Sequence, residues 1–93
     1  MNLLAVALLR AGAAAAGVAD ISQKGAELLF TMAEFDFAAV SDLSAEPVWE
    51  GRVRMLPKAE KPILALHLAK AEQPLRLAEQ FVDAYRQRHA GTT

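Results

Sequence analysis

A chain of 93 residues is long enough for one small domain with a modest core and too short for two. Its 54% apolar share excludes wholesale disorder, and 10 Lys and Arg against 11 Asp and Glu leave a net charge of -1, so no chain-wide field draws it to phosphate backbones or anionic lipid. Cysteine is absent, which excludes a disulfide framework or a thiolate metal site and suits the cytoplasm.

The opening stretch "LLAVALLRAGAAAAGVAD" is apolar but makes a poor export signal, because no Lys or Arg precedes it and Arg10 interrupts the run. It is also too rich in alanine, with a charge near its centre, to read as a membrane span. Wound at 100° per residue, it gathers Leu3, Leu4, Ala7, Leu8, Ala11, Ala14, Ala15 and Val18 into one stripe and is predicted to be a helix lying on a sheet. Gly12 costs that helix about 1 kcal/mol relative to alanine, and each buried leucine returns about 2 kcal/mol. On its reverse side Val6 and Leu9 form a second apolar pair that a lone domain leaves wet.

After Gly17 the period changes from helical to alternating. Val18 to Gln23 and Glu27 to Met32 flank "QKGA", where Gly25 is suited to a positive φ, and read as a hairpin. Leu28, Phe30 and Met32 share one face of its second strand. In "EFDFAAVSDL", Asp36 is placed as an N-cap and Phe35 with Val40 as a hydrophobic staple; the short helix must stop before Pro47. Two more strands follow, Gly51 to Leu56 and Pro62 to Leu68, with "PKAE" as the turn between them. The last element is the clearest: Pro74 opens a helix in which Leu77, Ala78, Phe81, Val82 and Tyr85 recur at helical spacing, Arg86, Arg88 and His89 crowd its end, and Gly91 marks the exit. The prediction is an α+β domain spanning residues 1–93, a mainly antiparallel four-stranded sheet with packed helices, in the order helix, hairpin, helix, hairpin, helix.

Residues for chemistry are sparse. His67 and His89 are the only imidazoles, Ser22, Ser41 and Ser44 lack a nucleophile-elbow context, and His67 has no second histidine at ligand spacing. Glu34 and Asp36 read as a solvated neighbour and a helix cap rather than an acid and base pair. No catalytic residue, cofactor, metal or small-molecule ligand is expected. The best basic cluster is "WEGRVR" with Lys58 and Lys61 nearby, in which Trp49, Arg52, Arg54 and Lys58 would stack a base and grip phosphate. A small nucleic-acid-binding module is therefore the second reading. The first is a protein-binding surface, in which Val6, Leu9 and Arg10 contact a partner while Leu29 and Ile63 face away from the main core.

The run "GVADISQKGAELLFTMAEFDFAAVSDL", residues Gly17 to Leu43, resembles the C-terminal domain of the bacterial transcription-repair coupling factor. The likeness continues in "GRVRM", in "KPILALHL" and in "PLRLAEQFVDAY", so it covers nearly the whole chain through the order and spacing of its parts rather than one diagnostic motif. Ala26 stands where the family often has a second glycine, and Gln73 where it often has an aspartate before the proline. The resemblance implies a non-catalytic regulatory domain of an ATP-driven DNA translocase that couples transcription to nucleotide excision repair. In the family this domain holds the UvrB-like module of the same protein closed and hides the surface that binds UvrA. The Walker and helicase motifs of the full protein are absent from these residues, as is the acidic "E-L-x-D-R-F-G" segment found just upstream of the first helix, so the expectation is a piece of a larger cytoplasmic protein.

Overall fold

The computed structural model describes residues 17–33, 35–56 and 61–91. The predicted first helix up to residue 16, Glu34 and the "PKAE" turn lie outside the described residues, and Val18, which helical spacing also placed on that helix's stripe, is a strand residue. The elements are β1 (Val18–Lys24), β2 (Glu27–Met32), α1 (Phe37–Ala45), β3 (Val53–Leu56), β4 (Ile63–His67) and α2 (Pro74–Gly91). The four strands form one antiparallel sheet in the order β1-β2-β4-β3. This is the expected α+β arrangement of two hairpins and packed helices.

The β1–β2 hairpin turns on Gly25 and Ala26, between the paired residues Lys24 and Glu27. Gly25 has φ +59 and Ala26 is not among the positive-φ residues, the signs of a type II′ turn in which only the first position calls for glycine. That is why alanine is tolerated at the second turn position. Strand β1 runs one residue further than its apolar pattern, to Lys24.

Facing residues follow from register. Ile21 pairs with Phe30 and Phe30 with Leu64, while Leu28 pairs with Leu66 and Leu66 with Val53, so these side chains share one face of the sheet. The helices supply Ala39, Leu43, Ala78, Phe81, Val82 and Tyr85 to the same core, with Leu77 at its margin. Phe81 is central: its ring lies 5.8 Å from Phe30 and 5.3 Å, edge to face, from Trp49. Each fully buried side chain of this size is worth about 1.5–3 kcal/mol, which outweighs local propensity in fixing where α2 lies.

Local signals set the ends of the helices. Asp36 caps α1, its Oδ1 accepting the Ala39 N–H at 3.0 Å, and Phe35 and Val40 both pack against the core. The helix ends at Ala45, and Glu46 is extended at φ -74 and ψ 139, the region to which a following proline confines it. In α2, Pro74 leads and the Gln73 carbonyl accepts the Leu77 N–H at 3.0 Å. Gly91 is the last helical residue rather than the residue after it.

One strand is shorter than its alternation suggests. Residues 46–52 form successive turns, with the Trp49 N–H donating to Glu46 O at 3.0 Å and the Arg52 N–H to Trp49 O at 3.0 Å, so β3 begins at Val53 instead of Gly51. These turns carry Trp49 inward. Strand β4 is likewise trimmed to Ile63–His67, although Leu68 remains in the core.

Candidate interaction surfaces

Both described helices cover one face of the sheet. On the opposite face the register aligns Asp20, Thr31 and Ile63; Ser22, Leu29, Ala65 and Arg54; and Lys24, Glu27 and His67. Leu29 and Ile63 are half-buried there, facing away from the main core as expected, and Ala65 is fully buried between Leu29 and Arg54 in register.

Across that face runs a bidentate ion pair. Arg54 Nε donates to Glu27 Oε2 at 2.9 Å and a terminal nitrogen donates to Oε1 at 2.7 Å, so the side chain reaches from β3 over β4 to β2. These hydrogen bonds lower the Glu27 carboxyl pKa; slight burial opposes them, and the charges of Arg54, His67 and Lys24 add to the lowering. A carboxylate held ionised in this way is a poor general base. His67 is exposed beside it, on a shallow hollow of about 370 Å³ shared with Gly51 and Arg52.

His89 is engaged in structure. Its Nδ1 lies 3.2 Å from Asp36 Oδ2 and its ring stacks on Tyr85 at 5.6 Å, while the Tyr85 hydroxyl accepts the Asp36 N–H at 3.1 Å. Ser44 donates to Val40 O at 2.8 Å, Ser41 is exposed on α1 and Ser22 on edge strand β1. Among the described residues no group of three or more His, Cys, Asp or Glu side chains is placed to hold a metal ion, and no helix is long and apolar enough to cross a membrane.

The predicted nucleic-acid face is not assembled. Trp49, expected to stack a base, is only 4% exposed and packs on Phe81, because the turns before β3 direct the indole into the core. Arg52 is committed on one side: one terminal nitrogen donates to His67 O at 2.9 Å and to Ala69 O at 3.1 Å, clipping the start of β3 to the end of β4. Arg54 is neutralised by Glu27, and Lys58 lies outside the described residues. The predicted protein-binding residues Val6, Leu9 and Arg10 also lie outside them.

Two surfaces emerge that the sequence alone did not flag. An apolar groove of about 210 Å³ lies between α1 and edge strand β3, where Phe37 and Met55 are 66% and 41% exposed. A larger groove of about 480 Å³ lies between the residue 47–51 turns and the start of α2, lined by Val48, Arg52, Lys70, Glu72, Arg76 and Leu77 among others. Their members come from separate segments, so only the folded chain brings them together. Comparison of the chain with protein-family models, curated proteins and solved structures finds no match.

Proposed function

We propose that this chain is a non-catalytic regulatory domain of the kind found at the C-terminus of transcription-repair coupling factors, acting in the cytoplasm by holding a UvrB-like module closed so that UvrA cannot reach it. The observation that supports this reading is the succession β1, β2, α1, β3, β4, α2 with a left-handed Gly25 in the "KG" turn, the order in which the family-like segments follow one another along the sequence. The action is steric. It needs a complementary protein surface and no proton transfer, nucleophile or cofactor, in keeping with a Glu27 that is salt-bridged and a His89 that braces two helices.

The test is competition. A UvrB-like module of a coupling factor, immobilised and incubated with this chain, is expected to retain it and then to capture less UvrA in proportion to the amount bound. Undiminished UvrA capture at saturating chain, or no retention of the chain, contradicts the reading.

A further inference from the structure

We propose that the groove between the residue 47–51 turns and the start of α2 is a docking site for an acidic protein segment carrying an aliphatic anchor residue. Three cations, Arg52, Lys70 and Arg76, meet one acid, Glu72, around a hollow of about 480 Å³. Val48 is 53% exposed in its wall and Leu77 is half-buried beside it, which provides an apolar seat next to the positive rim.

Two of the three cations have no counter-charge among the described residues. Arg54, Arg86 and Arg88 each pair with a carboxylate, whereas the Lys70 and Arg76 side chains make no ion pair or hydrogen bond among the described residues. Arg52 is held by two carbonyl oxygens through one nitrogen, so its guanidinium is fixed in place with its other N–H donors uncommitted among the described residues. Fixing a donor beforehand lowers the entropy lost when a carboxylate arrives. Lys70 is the one non-glycine residue with positive φ among those described, at +65, and Arg76 occupies the first turn of α2, where the backbone dipole disfavours a cation. Arg76 thus sits where local stability does not ask for a cation, and a complementary partner charge supplies the missing counterpart.

The lining selects among anionic partners. A nucleic-acid strand is gripped by aromatic stacking, and the only tryptophan is in the core while Val48 and Leu77 are aliphatic. Inorganic phosphate makes no use of an apolar wall. An acidic segment with one leucine-like side chain uses both halves of the groove. This inference rests on described residues alone and stands whether or not the partner is a UvrB-like module.

Fluorescence anisotropy of the full chain with a labelled peptide of Asp and Glu around a central leucine tests it. The expected result is saturable binding that weakens on adding salt, weakens when the leucine is replaced by serine, and falls about ten-fold in Arg76→Glu. That substitution puts an acid in the first turn of α2, so its thermal midpoint should be unchanged or higher, which separates lost binding from lost folding. Lys70→Gly, which removes a charge and keeps the positive φ, provides a second reading of the same loss. Absence of saturable binding, or binding indifferent to both substitutions, overturns the proposal. So does full displacement of the peptide by inorganic phosphate or by a DNA duplex, which would assign the groove to a simple anion or to nucleic acid.

Discussion

At Asp36 one carboxylate serves two helices: Oδ1 caps the start of α1 through Ala39, and Oδ2 lies 3.2 Å from His89 near the end of α2. Asp36→Ala removes both contacts, and the cap alone is worth about 1 kcal/mol. For a domain of this size that corresponds to a melting-point loss of about 4–8 °C, readable by thermal denaturation followed by circular dichroism. The capping role is legible in the sequence because it is local, an aspartate placed just before an apolar-periodic run. Its bond to His89 is not, since the two residues are 53 positions apart and meet only when α2 crosses α1.

The Glu27–Arg54 pair is the second case at this scale. Its carboxyl pKa is lowered in the folded state relative to the ordinary 4.5, chiefly by hydrogen bonds from Arg54, so the stabilisation is present above that ordinary value and drains as pH falls through the folded one. Arg54→Gln is expected to return the Glu27 pKa toward 4.5 in a carbon-detected NMR titration and to flatten the acid limb of a urea-midpoint profile. An unchanged Glu27 pKa in that variant would show that Arg54 is not the cause. The pair is illegible in the sequence because it spans an intervening strand, and the order β2-β4-β3 is set by packing rather than by residue spacing.

At the scale of elements, the two hairpins and the two described helices were readable because their signals repeat with the right period. Leu28, Phe30 and Met32 alternate cleanly, and all three are buried. In β1 the alternation breaks: a register shift between Val18 and Asp20 lets Val18 and Ile21, three apart, both face the core. The other misreading is instructive for the candidate site. The strand expected over Gly51 to Leu56 begins only at Val53, because Gly51 and Arg52 belong to turns, and the tryptophan those turns aim inward becomes core instead of a surface platform. A test of element geometry is Gly25→Ala. A Cβ at that position meets nothing within 4 Å, so its cost is conformational, about 1 kcal/mol for a non-glycine residue held at positive φ. Chemical denaturation should show that loss without a change in the slope, since the folded surface is unaltered.

At the scale of the whole molecule, the sheet carries its described helices on one face, with charged, aliphatic and small side chains aligned on the other. The exposed grooves flank α1 and α2 and draw on residues from up to three segments of chain. These surfaces escaped the sequence because Val48, Lys70 and Arg76 share no period or motif. The residues singled out from the sequence for partner binding, Val6, Leu9 and Arg10, were grouped by helical spacing alone, and they lie outside the described residues.

The most direct measurement is a two-dimensional amide spectrum of the isotope-labelled chain, titrated in parallel with a UvrB-like module and with a DNA duplex. A regulatory docking domain predicts progressive, saturable shifts or broadening with the protein module and a spectrum unchanged by the duplex. Saturable shifts with the duplex and none with the module would contradict it.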